Sequence, residues 1–437
     1  MPTVMFRTLG CKLNQAETAV LQEHFMNRGY EVLPWGERAD VTVLNTCTVT
    51  SRSDSKCKQA VGHILKMHPD TTVIVVGCYP QVAPDAVENL PGVDYAFGTY
   101  DKFRLFDHFP GPGKRSYPVV VVSPAKECGT GWSDSAATAI DRTRAFLKIQ
   151  TGCSRACAYC IVPLARGPGR SLPMDDILRQ ARAFVQKGYR EIVLTGTHIG
   201  DYGRDGDGRS HLPDLIQNVL AIEGCGRVRL SSLDPGDLGG PLLDCIALHP
   251  NVCRHLHLSL QSGSDAVLKA MNRSYTASFF REAVKTAVSR IGTLGLGADV
   301  IVGFPGETDA QFEETVQFIE SLPFSNLHVF PFSLRRGTKA QGINDPVSAK
   351  IKTLRTERLR KLGLRKKRIF YRSWAGRNVE VLFEGKGQNN RMAGWSSEYV
   401  RVEAPFDGRR IRQIVTVAVK GAGESCVYGE IAEGHVG

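Results

Sequence analysis

The sequence has no run of apolar residues close to the roughly 20 that a membrane-spanning helix needs. Its opening residues, Met1 to Arg7, also lack the basic segment and long apolar stretch of a secretion signal. Both absences favour a cytoplasmic protein that makes no membrane contact. The chain of 437 residues is long enough for about three domains, each with its own core.

Acidic residues are scarce in residues 350–372, where Glu357 is the only acid. This basic segment carries a charge of +10 in a chain whose formal net charge is +11. Such a concentration predicts a polyanionic partner, although a solvated charged helix with no fixed target is the alternative. Its eleven basic residues are Lys350, Lys352, Arg355, Arg358, Arg360, Lys361, Arg365, Lys366, Lys367, Arg368 and Arg372.

The first domain, residues 1–125, is predicted to be a doubly wound α/β domain built on a parallel sheet. Short β-branched runs alternate there with amphipathic stretches, and groups at the carboxyl ends of parallel strands gather at one edge. The predicted strands are Val4–Leu9, Val41–Leu44 and Thr71–Val76, and the predicted helices are Asn14–Arg28 and Ser53–Met67.

The central domain, residues 138–369, is predicted to be an incomplete (βα)6 barrel followed by a basic helix. A linker from Gly111 to Ser133, which could include an edge strand, precedes it. The active site of such a barrel lies at the carboxyl ends of its strands. The six candidate strands are Phe146–Gln150, Glu191–Thr195, Arg227–Leu233, His255–Leu260, Ala298–Val302 and Leu327–Phe332.

The last domain, residues 370–437, is predicted to be a small all-β barrel, because alternating runs are separated by glycine-rich turns without a helical pattern. The runs are Asn378–Glu384, Tyr399–Val402, Ile411–Val419 and Gly429–Ala432. Small β-barrels often bind nucleic acid, which is an analogy of fold alone. Trp374 and Trp395 could stack on unpaired bases, but packing in a core is at least as good an interpretation.

Disulfide bonds are not expected in a reducing compartment, so metal ligation is the leading explanation for twelve cysteines. Cys153, Cys157 and Cys160 form the spacing C-x3-C-x2-C after the first barrel strand. Three thiolates on one loop can ligate three irons of a cubane cluster and leave the fourth iron free for a small molecule. Structural zinc normally takes four ligands, so this spacing argues against zinc.

A second trio, Cys11, Cys47 and Cys78, follows directly on predicted strands of the first domain. Neighbouring parallel strands lie about 4.8 Å apart, so residues just past their ends can converge despite long sequence separations. We therefore predict another cluster held by three thiolates. The remaining cysteines, interpreted as structural or free, are Cys57, Cys128, Cys225, Cys245, Cys253 and Cys426. His198 and His257 are interpreted as hydrogen-bonded structural residues rather than ligands.

The motif Cys153-x3-Cys157-x2-Cys160, with Tyr159 before the third cysteine, resembles the signature of the radical S-adenosylmethionine (SAM) superfamily. The resemblance implies that the open iron chelates SAM, which one electron cleaves to a 5'-deoxyadenosyl radical. The resemblance also implies SAM contacts from residues at the ends of later strands, although a turn that requires glycine is an equally good interpretation. These candidates are Thr195, Gly196, Thr197, Ser259, Gln261, Val302 and Phe304.

The three domains together resemble the methylthiotransferase family over nearly the whole chain. The resemblance implies that Cys11, Cys47 and Cys78 hold an auxiliary [4Fe-4S] cluster, that Cys153, Cys157 and Cys160 hold the radical cluster, and that the last domain is an RNA-binding TRAM domain. SAM would first methylate a sulfur species at the auxiliary cluster. A second SAM would then yield the radical that takes hydrogen from carbon 2 of an adenine.

The substrates of this family differ, and the resemblance is strongest to the branch that acts on threonylcarbamoyladenosine at position 37, in the anticodon loop of transfer RNA (tRNA). Isopentenyladenosine in tRNA and an aspartate of a ribosomal protein are the alternatives. The resemblance implies an electron donor such as flavodoxin or ferredoxin. A noncatalytic iron-sulfur protein that binds RNA or transfers electrons is the alternative of another class, but a carrier would need only clusters closed by four cysteines.

Overall fold

The computed structural model describes residues 1–126, 143–204, 206–344, 346–387 and 389–432. Within these ranges the predicted α/β architecture is confirmed: a parallel sheet, a split six-stranded barrel and a small closed β-barrel follow one another. No helix in the described ranges is long and apolar enough to cross a membrane. Cys128 lies outside the described residues.

The first domain is a six-stranded parallel sheet covered by helices. Its elements are β1 (Thr3–Leu9), α1 (Lys12–Met26), β2 (Glu31–Leu33), β3 (Val41–Thr46), α2 (Ser51–Met67), β4 (Thr72–Gly77), α3 (Cys78–Val82), α4 (Pro84–Glu88), β5 (Tyr95–Phe97) and β6 (Val119–Val121). The strand order is β2-β1-β3-β4-β5-β6. The central strands β3 and β4 are buried along their whole length, as parallel strands covered on both faces should be. Strand β6 is the edge strand that the linker could include.

The central domain alternates strands and helices. Its elements are β7 (Ala145–Lys148), β8 (Gln150–Thr151), α5 (Val162–Arg166), β9 (Arg170–Ser171), α6 (Met174–Gln186), β10 (Glu191–Thr195), α7 (Leu212–Leu220), β11 (Arg227–Leu230), α8 (Gly240–Leu248), β12 (His255–Gln261), α9 (Asp265–Ala270), α10 (Ala277–Ile291), β13 (Gly295–Val302), α11 (Asp309–Ser321), β14 (Asn326–Pro331) and α12 (Ala349–Arg372).

Its six barrel strands form two parallel sheets, β7-β10-β11 and β12-β13-β14. Isolated parallel bridges, Val228 with Val252 and Leu233 with Leu258, connect the two sheets. Along β12, Leu256 and Leu258 belong to the core beneath the helices. Since side chains alternate along a strand, His255 and His257 face the opposite way, into the barrel.

The last domain is a closed barrel in the order β15-β16-β17-β19-β18, where β15 is Asn378–Lys386, β16 Arg391–Ser396, β17 Arg401–Pro405, β18 Ile414–Ala422 and β19 Val427–Ile431. Strand β16 was not predicted, because its sequence, RMAGWS, has no β-branched residue. Trp374 is buried in the core of this barrel, whereas Trp395 stacks on Tyr399 with ring centres 4.5 Å apart.

The last domain docks against the amino ends of the barrel strands. Buried Glu191 accepts hydrogen bonds from Arg227 (2.6 Å) and Arg229 (2.7 Å), on the neighbouring strand. These arginines also donate to the backbone carbonyls of Trp395 and Ser396, at 2.9 and 2.8 Å. One buried carboxylate therefore holds two cations that fasten the last domain to the barrel.

Candidate active site

The three cysteines of the first domain lie at the carboxyl ends of adjacent strands. In the sheet register Leu9 pairs with Thr46, and Thr46 pairs with Gly77. Each strand is followed within two residues by one cysteine, in the order Cys11, Cys47 and Cys78. The predicted convergence of these strand ends is therefore present.

Two buried asparagines support this trio from behind. The Asn14 side chain donates to Asn45 Oδ1 (3.2 Å) and to the carbonyl of Thr46 (3.0 Å), and Asn45 donates back to the carbonyl of Asn14 (2.9 Å). The Cys11 thiol donates to Asn14 Oδ1 at 3.1 Å. Sequence reasoning missed both asparagines, which have no metal-ligand character and act by fixing the strand ends.

The thiols of the trio influence one another electrostatically. Burial, together with the neighbouring Cys78 and Cys11, raises the pKa of Cys47 to about 12. Burial likewise raises the pKa of Cys11. The residue is nevertheless exposed to solvent, so its thiol faces a recess in the surface. Such thiols are protonated at neutral pH without a metal, so cluster assembly must displace their protons.

The second trio lies on the loop between β8 and α5. The Cys160 amide donates to the carbonyl of Cys157 at 3.1 Å, and the Cys153 amide to the carbonyl of Gly167 at 3.0 Å. Gly152 has φ +74°, and a Cβ there would lie 1.9 Å from the carbonyl oxygen of Pro168, so only glycine fits at this point. The loop is thereby held in a tight turn before its first cysteine.

Arg273 contacts this loop directly. It donates to Cys157 Sγ at 3.1 Å and forms an ion pair with buried Asp234. Arg155, inside the cysteine motif, pairs with the same carboxylate at 3.1 Å. Sequence reasoning missed Arg273, whose only local signal is a short loop after α9.

His198 continues this charged network rather than standing apart. It lies 2.6 Å from Asp201 and 3.1 Å from Asp237. Burial lowers the pKa of His198, but hydrogen bonds to these two aspartates outweigh burial and raise it to about 9. At neutral pH His198 is therefore a cation paired with carboxylates. The ligand atoms of His198, Asp201 and Asp237 lie within 4.8 Å of one another, close enough for a metal site, but a protonated imidazole does not bind a metal ion.

Gln150 ties the cysteine loop to the end of β10. Its Nε2 donates to the carbonyl of Gly152 at 2.8 Å, while its Oε1 accepts from the amides of Thr197 (3.0 Å) and His198 (2.9 Å). Thr195 is buried, and the Thr197 hydroxyl is buried with no hydrogen-bond partner among the described residues. The Thr197 hydroxyl is therefore available to a small molecule. Gly196, the other predicted SAM-contacting residue of this loop, has no side chain and could contribute only backbone groups.

The other predicted SAM-contacting residues lie at the ends of β12 and β13. Gln261 has φ +64°, a conformation that side chains rarely adopt, and it follows an irregular register at Ser259. Val302 is buried, and the ring of Phe304 is 1% exposed, packed edge-on against Phe332 at 5.3 Å. The Phe304 side chain thus belongs to the core beneath the cysteine loop, and a cofactor contact from it stays a prediction.

A fully buried charge cluster lies between the two cysteine sites. Arg166 donates to both carboxylate oxygens of Glu17, at 2.7 and 2.9 Å, and Lys102 contacts Glu17 at 2.7 Å. Lys148 lies 3.4 Å from the same carboxylate. Burial lowers the pKa of Lys148 to about 7. Three basic side chains therefore surround one acid beside the auxiliary trio.

His257, Asp299 and His328 form a second group inside the barrel whose ligand atoms lie within 4.8 Å of one another. Asp299 Oδ1 contacts His257 at 2.9 Å and His328 at 3.3 Å. The carboxylate oxygen is thus already occupied by both imidazoles. His257 matches the expectation of a hydrogen-bonded histidine.

Tyr399 brings the last domain to the interior of the barrel. Its ring stacks on His255 at 4.5 Å, and the charged groups of Arg229, Arg144 and Lys12 lie 4.8, 5.9 and 6.0 Å from the ring centre. Burial raises the pKa of Tyr399, but Lys12 and the two arginines outweigh burial and lower it. Its φ of +65° marks a strained backbone.

Comparison with known proteins agrees with this geometry. The Radical SAM superfamily profile matches residues 147–319, and a family described as Uncharacterized protein family UPF0004 matches residues 3–98. The threonylcarbamoyladenosine tRNA methylthiotransferase of Bacillus subtilis is 36% identical over 97% of this chain and 95% of its own length. The chain belongs to the radical SAM methylthiotransferase family.

Other methylthiotransferases are nearly as similar. The threonylcarbamoyladenosine enzyme of Thermotoga maritima is 35% identical over 100% of this chain, covering 99% of its own length. The tRNA-2-methylthio-N(6)-dimethylallyladenosine synthase of Desulfitobacterium hafniense is 32% identical over 96% of this chain and 95% of its length. Among solved structures, the radical SAM methyltransferase TsrM of Kitasatospora setae has a TM-score of 0.56, with 13% identity, over 76% of this chain and 73% of that chain. That likeness supports the fold alone.

The donor sets fit the cofactors of this methylthiotransferase family, two [4Fe-4S] clusters and SAM. Each site offers three thiols from one tight loop or one sheet edge, and cubane iron binds thiolates. Cationic groups stand behind both sites: Arg273 and Arg155 at the radical loop, and Arg166 at the auxiliary trio. These cations suit clusters whose thiolate ligands carry negative charge.

Proposed function

We propose that this protein adds a methylthio group to carbon 2 of N6-threonylcarbamoyladenosine at position 37 of tRNA. The observation that carries the proposal is the presence of two separate thiol trios, each short of the four ligands that would close a cluster. The similarity over nearly the full length to threonylcarbamoyladenosine enzymes supports the choice of substrate.

The bound clusters and SAM supply the radical and the sulfur chemistry, and the polypeptide supplies position and charge. Cys153, Cys157 and Cys160 hold the radical cluster, and Arg273 donates to one of its thiolates. The residues that contact SAM lie at the strand ends. They are Thr195, Gly196, Thr197, Ser259, Gln261, Val302 and the backbone at Phe304. Cys11, Cys47 and Cys78 hold the auxiliary cluster. An aromatic C–H bond offers no acidic proton, so the reaction requires no acid and base pair.

Two sets of groups contribute affinity for tRNA. Helix α12 presents Lys350, Lys361 and Arg372, which form no ion pair with any described residue. Cations of this kind bind phosphates without regard to sequence. The closed barrel of the last domain gives the anticodon loop a second support. An electron carrier such as a flavodoxin or ferredoxin reduces the radical cluster in the cytoplasm.

The test is mass spectrometry of tRNA nucleosides from cells that lack the gene. We expect methylthio-threonylcarbamoyladenosine to disappear and its precursor to accumulate. Loss of methylthio-isopentenyladenosine instead would support the alternative that the dimethylallyladenosine enzymes suggest. If every methylthio nucleoside persists, a ribosomal-protein aspartate becomes the substrate to examine. Anaerobic protein that holds only closed, SAM-inert clusters would favour a noncatalytic carrier.

A further inference from the structure

Residues 333–343, the segment after β14, connect the surroundings of the two cysteine sites. We name them the bridging segment. At its start, Ser333 Oγ accepts from the Ser51 amide at 2.9 Å, and Arg335 forms an ion pair with Asp54 at 2.7 Å. Both partners belong to the first turn of α2, just beyond Cys47, the auxiliary-site cysteine that follows β3. The bridging segment thus begins against the first domain.

The other half of the bridging segment lies against the radical loop. The Ala340 amide donates at 2.8 Å to the carbonyl of Ala158, which stands within the cysteine motif. Gly337, with φ +84°, approaches the side chain of Leu164, and a Cβ there would lie 2.9 Å from Leu164 Cδ1. The bridging segment therefore lies beside both cysteine sites, with one end against the start of α2 and the other against the radical loop.

Three apolar side chains in or beside the bridging segment are exposed: Val49 is 53% exposed, Leu164 47% and Leu334 54%. They come from three different parts of the chain, each of which belongs to the bridging segment or contacts it. Val49 lies two residues before Ser51, and Leu334 directly follows its hydrogen-bond partner Ser333. Apolar groups grouped on a surface next to an active site mark a place where a partner binds.

Three exposed cations accompany them. Arg52, Arg336 and Lys339 form no hydrogen bond or ion pair with any residue in the described ranges. The nearby carboxylate of Asp54 is already paired with Arg335. This surface therefore combines exposed apolar side chains with uncompensated positive charge, which suits a partner that is both apolar and anionic.

We propose that this surface, made of Val49, Leu164, Leu334, Arg52, Arg336 and Lys339, lies at the entrance to the active site and is the docking site for an unpaired RNA loop. Unpaired nucleotides present flat apolar base faces between phosphates, whereas a paired stem hides its bases. The aliphatic side chains pack against bases next to the reacting one, and the cations hold the phosphates between them. The inference rests on the proposed function, because it assumes an RNA substrate, and it assigns the contacts that present the target base.

The test measures RNA affinity of the full-length protein, anaerobically loaded with clusters. The probes are a synthetic hairpin with an unpaired loop and a fully paired RNA of equal length. The charge variant combines Arg336→Glu with Lys339→Glu, and the apolar variant combines Val49→Ser with Leu334→Ser. The matched control combines Lys66→Glu with Lys285→Glu, two exposed lysines on α2 and α10 that bring the same change of charge.

We expect the charge variant to bind the hairpin at least about tenfold more weakly and to reduce the salt slope by about one for each cation removed. The apolar variant should lose affinity for the hairpin and keep its weak affinity for the paired RNA. The control should bind as the wild type does. Iron content and unfolding midpoint, measured on every variant, identify losses that come from misfolding.

Two results would overturn the inference: hairpin binding by both entrance variants as tight as that of the wild type, or equal losses for hairpin and paired RNA in the apolar variant. Failure of the proposed function is distinguishable from either. In that case the wild type itself would not bind the hairpin, or the nucleosides of the deletion strain would be unchanged.

Discussion

Arg166 donates two hydrogen bonds to Glu17, at 2.7 and 2.9 Å, and the pair joins the helix that follows Cys11 to the helix that follows Cys160. Both side chains are buried, with exposures of 4% and 0%. The contact therefore sets the distance between the supports of the two cluster sites. Lys102 and Lys148 lie near the same carboxylate, at 2.7 and 3.4 Å.

Glu17→Gln should strongly destabilise the protein, because it removes the carboxylate that pairs with the buried cations Arg166 and Lys102. Breaking a buried pair on one side typically costs about 3–5 kcal/mol. Denaturant unfolding of the metal-free protein measures the change in the free energy of unfolding. The matched control is Glu282→Gln, which breaks the exposed pair with Lys285 and should cost less than about 1 kcal/mol. Equal losses in the free energy of unfolding for the two variants would show that the buried charge cluster around Glu17 does not hold the domains together.

Arg273→Gln should lower the reduction potential of the radical cluster, because hydrogen bonds and positive charge near a thiolate favour the reduced cluster. A redox titration followed by electron paramagnetic resonance measures this potential. The auxiliary cluster, which Arg273 does not contact, is the internal control. An unchanged potential at the radical cluster would contradict the role assigned to this arginine.

Cys157→Ala should abolish SAM cleavage, since two remaining thiolates cannot present the open iron correctly. Cys47→Ala should abolish sulfur insertion while some SAM cleavage remains. The measurements are 5'-deoxyadenosine formed and methylthio nucleoside formed by anaerobically reconstituted protein. Full activity in both variants would remove the assignment of two clusters.

The stability contributed by His198 should fall as pH rises. Its pKa lies at about 9 in the folded protein, against 6.5 for the free side chain, because Asp201 and Asp237 favour the charged form. The contribution is complete below about pH 6.5 and is lost as pH rises through about 9; by linkage it amounts to about 3 kcal/mol at most. Unfolding measured across this range should show a smaller decline for His198→Gln than for the wild type. Parallel declines would exclude a protonated His198.

The basic residues of α12 should differ in their effect on tRNA binding. Lys361→Gln with Arg372→Gln removes two cations that have no acidic partner in the described chain and should reduce the salt slope by about two. The matched control, Arg358→Gln with Arg365→Gln, removes two arginines already paired with Glu313 and Glu320 and should have a smaller effect. Equal effects would mean that all positions of the helix act alike.

The sequence was sufficient to predict the domain order, the barrel strands and the convergence of Cys11, Cys47 and Cys78. Hydrophobic periodicity and position after a strand depend on local sequence, so these features can be read along the chain. Strand β10 occupies the predicted residues, Glu191–Thr195. The short strands β2 and β5 were missed, because three-residue runs carry little pattern.

The supporting groups of the site could not be predicted in the same way. Gln150, Arg273 and Glu17 act through partners far away in sequence, such as the 149 residues that separate Glu17 from Arg166. A polar residue destined for a buried ion pair has no local signature that distinguishes it from a surface residue. The sequence also could not show which cations of the basic segment are paired: Arg355 is buried in a pair with Glu307.

Tyr399 has a consequence for how the last domain should be studied. Its ring stacks on His255, the first residue of β12, and lies near Lys12, the residue next to Cys11. Deleting the last domain would therefore do more than remove a handle for RNA. It would also remove the Tyr399 ring and open the amino end of the barrel to water. Because a radical intermediate must be protected from water, we expect the truncated enzyme to cleave SAM unproductively as well as to bind RNA more weakly.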